Sequence, residues 1–470
     1  MTRLDTLRAP AVLVAALLMA GCGSLIPSLK KPALPVAASY PGQPATAGGA
    51  GAAVDIEWQR FFTDARLERL IGLSLAANRD LRIAVLAIDQ ARAQLQLRRA
   101  DELPTVGAGV NASRTPGANG SMVSNYSAGL QISAYEVDFF GRIRSLREAA
   151  RAQLLATEEA RKTVQISLVA TVAQTYLALQ ADEALLLVTQ QALATREDSF
   201  RLTKLKFDNG VSSELDLRQA ESLLESARVA LVQQTRQRAL DENALVLLVG
   251  QPLPADLPPA VALGAAAAMP EVPAGLPSDL LTRRPDIRQA EQQLVAANAN
   301  IGAARAAFFP RVSLTTSAGV ASNELSGLFS NGHFAWTLAP QLLLPIFDAG
   351  RNQANLAAAK VAREVATAQY EKAIQTAFRE VSDALAGRAT LGEQMRAQTA
   401  QANATQVIYR LADLRYRGGA ASYLDVLDAQ RSLFQAQQAV VQTLALQLQN
   451  QVALYKALGG GWTEGAARGG

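Results

Sequence analysis

The chain has 470 residues, with 45 lysines and arginines against 41 aspartates and glutamates, one histidine and one cysteine. So few histidine and cysteine residues argue against metal clusters, disulfide frameworks and catalytic triads built on several histidines. The small positive net charge gives no reason to expect nucleic acid as a partner. Alanine, leucine, glutamine and arginine dominate, and only 5% of residues are aromatic, which is typical of long helices packed at close range.

The N-terminus has the pattern of a secretory signal. Two arginines precede an apolar run at residues 9–20, which is too short to span a bilayer and ends just before Cys22. Small residues before a cysteine resemble a bacterial lipoprotein signal, so we predict a signal peptide at residues 1–21 and a covalent lipid on Cys22. The alternative is an ordinary signal peptide with a chance cysteine. Gly23 in place of aspartate favours onward passage to the outer membrane.

The second half of the sequence repeats the first. Residues 207–220 read FDNGVSSELDLRQA and residues 416–429 read YRGGAASYLDVLDA, which pairs Asp216 with Asp425, 209 positions later. Repeats of this length mark units that bury their apolar faces against one another. The sequence therefore predicts one structural unit that occurs twice.

The duplication and the composition together divide the chain into six expected segments. These are the signal peptide (1–21), a lipid-anchored N-terminal tether (22–57), a first structural repeat (58–250), a proline-rich linker (251–277), a second structural repeat (278–458) and a C-terminal tail (459–470). We expect the tether and the tail to be flexible, because the tether is rich in proline, alanine and glycine and the tail lies at a chain end.

Helical periodicity is strong in both repeats. Apolar residues follow Leu217 at seven-residue intervals, and the equivalent series follows Val426, which predicts left-handed coiled-coil seams. Residues 144–205 and 352–414 contain no proline, so each predicts a helix of roughly 60 residues, about 90 Å long at 1.5 Å per residue. Helices with apolar stripes toward two neighbours are typical of helices that lie side by side in the wall of a cylinder.

Strand signals occur in four places, at residues 105–113, 126–138, 311–322 and 334–347. Within the second of these, Tyr126, Ala128, Leu130, Ile132 and Ala134 alternate with small polar residues. No apolar run after the signal approaches the roughly 18 to 20 residues of a membrane helix, so a mature chain that crosses a membrane must do so as strands. Alternation predicts a lipid-facing barrel with a wet lumen, or a half-buried soluble sheet. Because single-chain membrane barrels start at eight strands, several chains must share a barrel, and two, three or four copies fit the pattern.

The duplicated helices, the segments PTVGAGV, YEVDFFGR, FFPRVSL and LPIFDAGR, the SYLDVLDAQRSLF segment and the lipoprotein signal together resemble the outer-membrane efflux protein family. They are most similar to its TolC-like, NodT-type channel lipoproteins of resistance-nodulation-division efflux systems. The resemblance implies a mainly α-helical fold with a small β part: a long periplasmic α-helical barrel and a transmembrane β-barrel of twelve strands in a homotrimer.

The resemblance also implies a function and partners. Such channels are passive ducts that dock through a periplasmic adaptor onto an inner-membrane resistance-nodulation-division transporter and expel drugs, dyes, detergents or metal ions. We therefore expect no catalysis, no cofactor other than the lipid on Cys22, no resident metal and no nucleic acid.

A candidate periplasmic aperture lies at Asp425, Asp428 and Arg431. Asp425 and Asp428 are three residues apart and lie on one helical face, so several copies would form two rings of carboxylates that favour cations. The resemblance places these residues at the family's periplasmic constriction. The alternative is that the carboxylates only stabilise a helix N-terminus. The residue of the first repeat that is equivalent to Asp428 is Gln219, which has no carboxylate. We therefore expect only the second hairpin to carry two rings of carboxylates.

Glycine-containing turns separate the predicted helices of each pair. The resemblance assigns adaptor contacts to Gly210 and Val211 in the first turn and to Gly419 and Ala420 in the second, whereas turn chemistry alone would also explain the glycines. His333 is expected in a surface loop. Arg142 and Arg351, at the paired Gly-Arg steps, are expected to cap helices, with lumen lining as the second possibility.

A second hypothesis is a lipid-anchored periplasmic coiled-coil adaptor without a pore. Adaptors usually place a compact sheet domain around one helical hairpin, whereas strand signals here interrupt two matching helical sets. An enzyme ranks last, because the sequence offers no cluster of nucleophile, base and orienting residue.

Overall fold

The computed structural model describes residues 24–30, 32–41, 56–118, 120–264, 269–270, 272, 280–330 and 332–462. The predicted signal peptide and the predicted lipidation site Cys22 lie outside these residues. The helices are α1 (Trp58–Phe61), α2 (Ala65–Ala77), α3 (Arg79–Ala100), α4 (Arg142–Asp208), α5 (Glu214–Val249), α6 (Leu280–Arg283), α7 (Pro285–Ala306), α8 (Arg351–Arg417) and α9 (Tyr423–Ala457). The strands are β1 (Val106–Pro116), β2 (Met122–Val137), β3 (Arg311–Ser322) and β4 (His333–Leu343).

The same order of elements occurs twice along the chain. α3 and α7 have 22 residues each, and each is followed by two strands. Next come α4 and α8, with 67 residues each, and then α5 with 36 residues and α9 with 35. The predicted fold class, mainly helical with a small β part and built from a duplicated unit, is confirmed.

The chain divides into two compact units, and each draws on both repeats. Unit 1 comprises Met1–Ala33, Leu86–Glu159 and Ile287–Ala373, and it contains the four strands. Unit 2 comprises Leu34–Val85, Ala160–Asp286 and Ile374–Gly470. It contains the ends of the two helical hairpins, where α4 turns into α5 and α8 turns into α9, whereas α4 and α8 both begin in unit 1.

The sheet of unit 1 is antiparallel with the order β1-β2-β3-β4, so β1 and β4 are its edges. The register gathers most large apolar side chains on one face, and the other face is small and polar. The apolar face carries Val106, Val110, Leu130, Ile132, Tyr135, Val312, Leu314, Val320, Phe334, Trp336, Leu338 and Leu342. On the polar face Gly129 pairs with Gly319, and a Cβ atom on either would collide with the backbone of the other strand.

The structure corrects two details of the predicted strands. A β-bulge between Ile132 and Tyr135 inserts an extra residue, and Ala134 adopts a φ of 51° there. Tyr135 rather than Ala134 therefore continues the apolar face, and its hydroxyl donates to the carbonyl of Glu102 at 3.0 Å. The last strand was expected to reach residue 347 but ends at Leu343, because Leu343 pairs with Arg311, the first residue of β3.

Arg142 and Arg351 are the first residues of α4 and α8, as expected for the step from strand to helix, but aspartates rather than these arginines cap the two helices. Asp138 accepts a hydrogen bond from the Arg144 N–H at 2.8 Å, and Asp348 accepts from the Asn352 N–H at 2.9 Å. Arg142 instead makes two 2.8 Å bonds to the carboxylate of Glu136, which ties the start of α4 to the end of β2. His333 also differs from expectation, because it is the first residue of β4 rather than a loop residue.

The N-terminal segment was expected to be flexible, and its described part is held against α7 instead. Asn298 Nδ2 donates to the Pro27 carbonyl at 2.7 Å, and Arg305 Nη1 donates to the Leu25 carbonyl at 3.2 Å. Gly302 leaves room for Ile26, since a Cβ atom at Gly302 would come within 2.6 Å of the Ile26 side chain. Hydrogen bonds from side chains of α7 to the backbone carbonyls of this segment explain why it is ordered without periodicity of its own.

Unit 2 has a core built on aromatic stacking. The rings of Phe61 and Tyr455 lie 4.0 Å apart and nearly parallel, and the Tyr176 hydroxyl donates to Asp64 at 2.8 Å. Arg284 is buried, donates to the Ala457 carbonyl at 2.8 Å and forms ion pairs with two carboxylates of the same unit. These contacts fix the end of α9 against the other helices.

The start of the predicted tail is also ordered. Gln165 Nε2 donates to the Gly461 carbonyl at 3.3 Å, and Lys162 Nζ lies 4.7 Å from the ring centroid of Trp462. One further expectation needs correction, because α4 includes an 18-residue window that is apolar enough to cross a membrane by length and composition. Since 61% of that window is buried in the protein, its apolar character is explained by helix packing.

Candidate gate at the ends of the helical hairpins

The two helical hairpins of unit 2 turn through the same motif. Gly210 and Gly419 both adopt a left-handed φ, 74° and 72°, which glycine reaches without a steric penalty. The Val211 N–H donates to the Lys206 carbonyl and the Ala420 N–H to the Arg415 carbonyl, each at 2.8 Å, as in a Schellman helix end. The four predicted adaptor-contact residues therefore lie exposed at the two tips.

The helix after each turn begins with a capping box. Ser213 caps α5 and Ser422 caps α9, and the third helical residue in each case is an aspartate that accepts from the N–H of the capping serine. In the first hairpin, bonds from Ser213 and Ser212 hold the pKa of the Asp216 carboxyl below its ordinary value. In the second hairpin, Asp425 Oδ2 accepts from the Ser422 N–H at 3.1 Å. Asp425 thus does have the helix-stabilising role that was the alternative interpretation.

Asp428 and Arg431 lie one turn further along α9. Their side chains are 64% and 50% exposed, and Arg431 Nη1 lies 3.5 Å from Asp428 Oδ1. An exposed pair of this kind contributes about 0.5 kcal/mol or less, so it leaves both groups free to interact elsewhere. The structure therefore brings Asp425, Asp428 and Arg431 together on one exposed face of α9, as their spacing predicted.

An apolar cluster on the opposite face of α9 fixes this arrangement. Tyr423, Val426 and Leu427 are buried with Ala220 and Leu223 of α5. Because the same first turns of α9 carry both the buried cluster and the exposed carboxylates, the packing determines which way the carboxylates face. Burial also raises the pKa of the Tyr423 hydroxyl.

Contacts between the two hairpin ends were missed by the sequence reasoning. Lys206 Nζ of α4 lies 4.0 Å from the ring centroid of Tyr416 of α8, and the Tyr416 ring lies 5.3 Å from that of Tyr423. Gln430 Nε2 of α9 donates to Ser199 Oγ of α4 at 2.9 Å. The duplication could have indicated an aromatic contact at the hairpin ends, because Phe207 and Tyr416 are equivalent aromatic positions just before the two turns.

A metal site requires several ligand side chains held close together. Among the residues that the structure describes, no group of three or more histidine, cysteine, aspartate or glutamate side chains is arranged to hold a metal ion. The candidate site is therefore a set of exposed charges on a packed helical frame.

Comparison with known proteins identifies the family. A family model described as outer membrane efflux protein matches residues 70–251 and 276–460, which is well over half of the chain. The chain belongs to the outer membrane efflux protein family. The family model matches both repeats, and the resemblance drawn from the sequence is confirmed.

Individual relatives agree with this assignment. The toluene efflux pump outer membrane protein TtgC of Pseudomonas putida is 49% identical over 461 residues, covering 96% of this chain and 95% of the relative. The antibiotic efflux pump outer membrane protein ArpC of Pseudomonas putida gives the same values. The crystal structure of the open state of the Neisseria gonorrhoeae MtrE outer membrane channel has a TM-score of 0.85 and 40% identity, and it covers 94% of this chain and 99% of that channel.

These comparisons establish the location and the broad role. The chain is an outer-membrane channel component of an efflux pump, as predicted. Its relatives are named as efflux channel proteins and not as enzymes.

Proposed function

We propose that three copies of the chain form one passive, lipid-anchored conduit whose periplasmic end is gated by Asp425, Asp428 and Arg431. The sheet supports a barrel that is shared between copies. It has an apolar face, a polar face and two unpaired edges, β1 and β4. Four strands are too few to close a membrane barrel, and three copies supply twelve.

Apolar side chains at the base of the two edges support this closure. Leu103 and Val106 lie at the start of β1, and Ile346 and Phe347 follow the end of β4, where they are 95% and 90% exposed. In a closed antiparallel barrel, β4 of one copy lies beside β1 of the next, and these two strand ends meet at the same rim. Each copy would then cover apolar surface that its neighbour exposes.

The gate follows from threefold repetition of the α9 face. Asp428 would form a ring of three carboxylates, with the ring of Asp425 one turn away and with Arg431 as the nearest counter-charge. At a separation of about 8 Å and an effective dielectric constant of 20, each carboxylate pair repels by about 2 kcal/mol. Such a ring favours cations and resists anions, and a change in the tilt of α9 would widen it.

The remaining roles rest on the family. The tips at Gly210, Val211, Gly419 and Ala420 would contact a periplasmic adaptor, which would connect the channel to an inner-membrane resistance-nodulation-division transporter. The names of TtgC and ArpC support small toxic organic compounds, solvents and antibiotics as the exported class. A lipid on Cys22 would add a second attachment to the outer membrane. No catalytic step is required of the channel.

Conductance of the purified protein in planar bilayers tests the proposal. We expect cation-selective currents, and we expect Asp428→Asn to reduce cation selectivity without loss of assembly, because Asp425 rather than Asp428 caps α9. Glu393→Gln is a matched control, since Glu393 also forms an exposed pair with an arginine three residues later. Absence of current from inserted protein would contradict the conduit, and unchanged selectivity in Asp428→Asn would contradict the gate.

A further inference from the structure

A cavity of about 150 Å³ lies in unit 2 where α4, α8 and α9 meet, and its α9 side begins at Gln430, between Asp428 and Arg431 in the sequence. Its lining includes Arg196 and Thr195 of α4, Tyr409 of α8, and Gln430 and Phe434 of α9. The volume is several times what one water molecule requires, and most of these side chains have polar ends. The cavity is therefore large enough and polar enough to hold a small hydrophilic ligand.

Arg196 is the main charged group of this cavity. The residue is 5% exposed, and its guanidinium carbon lies 4.9 Å from the ring centroid of Phe434. Its hydrogen bonds leave from Nη1 and go to neutral acceptors, the Leu223 carbonyl at 3.3 Å and Ser226 Oγ at 3.1 Å. Within the described part of the chain, no carboxylate forms an ion pair with it. A buried charge without a counter-charge is costly, so the site favours an anion.

The charged group that acts on Arg196 is a second arginine. Burial, and after it the positive charge of Arg431 on α9, lower the pKa of Arg196. Arg431 has Asp428 as a partner, at the outer side of the same helix. An anion in the cavity would therefore be held mainly by Arg196.

Gln430 supplies a second ligand group. The residue is 5% exposed, and its Oε1 atom has no hydrogen-bond partner among the described residues. Its Nε2 atom bonds to the Ser199 hydroxyl, which donates as readily as it accepts. A rotation of the amide by 180° therefore keeps the bond to Ser199 and turns the two N–H donors toward the space that Oε1 now faces.

We propose that this cavity binds a small oxyanion, with Arg196 as its principal ligand and Gln430 as a second one. The planar guanidinium has five N–H donors arranged to match pairs of oxygen atoms, so a phosphate or a carboxylate fits better than a spherical halide. A bound oxyanion would join α4 to the part of α9 that follows Asp428. The binding site does not depend on the proposed gate, so a failure of one leaves the other open to its own test.

Thermal unfolding of the full-length protein in detergent tests the site, with inorganic phosphate as the probe and sodium chloride used to keep ionic strength constant. We expect the midpoint to rise with phosphate in a saturable way. Arg196→Gln should raise the phosphate concentration at half-saturation by roughly tenfold or more, because it removes a charge-assisted ligand. Arg201→Gln is the matched control, since Arg201 lies on the same helix, is exposed and pairs with Asp198.

A second variant keeps the test decisive if Arg196→Gln does not fold. Gln430→Glu places a carboxylate inside the cavity, so we expect it to raise the midpoint without phosphate and to remove the response to phosphate. A response to acetate but not to phosphate would identify a carboxylate as the ligand class and would still support the site. Equal responses in the wild type and Arg196→Gln, no response to either oxyanion, or a lower midpoint in Gln430→Glu would each overturn the proposal.

Discussion

Replacing Asp182 with asparagine probes the most strongly perturbed carboxyl group of the helical hairpins. Asp182 lies on α4, is buried, and accepts a hydrogen bond from Gln234 Nε2 at 2.7 Å. Burial first, and then the neighbouring carboxylate of Asp241, raise its pKa to about 6, while Gln234 and Arg238 act in the opposite direction. The folded protein therefore favours the uncharged form of this side chain, which asparagine resembles.

The size of the effect follows from that pKa. A rise from 3.8 to about 6 corresponds to about 3 kcal/mol at 1.36 kcal/mol per tenfold change in proton affinity. Solvent screens part of the charge, so we discount this to about 1.5 kcal/mol. Because the pKa is higher in the folded state, the folded chain binds more protons, and stability falls as pH rises from about 4 to about 6. Above pH 6 to 7 the ionised Asp182 carboxylate lowers the free energy of unfolding by this full amount.

The assay is thermal unfolding of wild type and Asp182→Asn between pH 4 and pH 8. We expect the variant to unfold roughly 1–2 °C higher at pH 7.5 and at the same temperature as wild type near pH 4. Asp383→Asn is the control, because Asp383 is exposed and lies 3.9 Å from Arg379. A difference that does not depend on pH, or a variant that is less stable than wild type at pH 7.5, would refute the reasoning.

Three further substitutions test separate parts of the fold. Arg284→Met should lower the free energy of unfolding by about 3–5 kcal/mol, measured by circular dichroism in denaturant, because it leaves two carboxylates without their buried partner; a loss below 1 kcal/mol would contradict this. Gly302→Leu should displace the segment around Ile26, and limited proteolysis should then cut the N-terminal segment faster than in wild type; unchanged cutting would argue against the contact. Phe347→Ser should lower the temperature at which the assembled channel dissociates on gels. Phe329→Ser should not, because Phe329 is similarly exposed but lies in the loop between β3 and β4. Equal effects of the two substitutions would argue against an apolar contact between copies at the barrel rim.

Much of the fold could be predicted because the duplication shows each element twice. The paired sequences around Asp216 and Asp425 located both hairpins, and both form capping boxes in the structure. Alternation located the strands, since a sheet with one apolar and one polar face leaves a period of two in the sequence. Each of these features depends on residues that are close together along the chain.

The missed features depend on contacts between distant residues. The bulge before Tyr135 is visible only once β2 is set against β3, and the ordered segment around Ile26 depends on a glycine about 280 positions away. In the candidate site, the spacing of Asp428 and Arg431 predicted their shared face. Nothing near Arg196 in the sequence indicated that its charge would be buried without a carboxylate.

The mass of the intact assembly tests the central claim most directly, because the claim is that three copies close one barrel that a single chain leaves open at β1 and β4. Native mass spectrometry of the channel extracted from outer membranes should give one dominant species with three times the mass of the mature chain. A dominant monomer, dimer or tetramer under the same conditions would contradict the account.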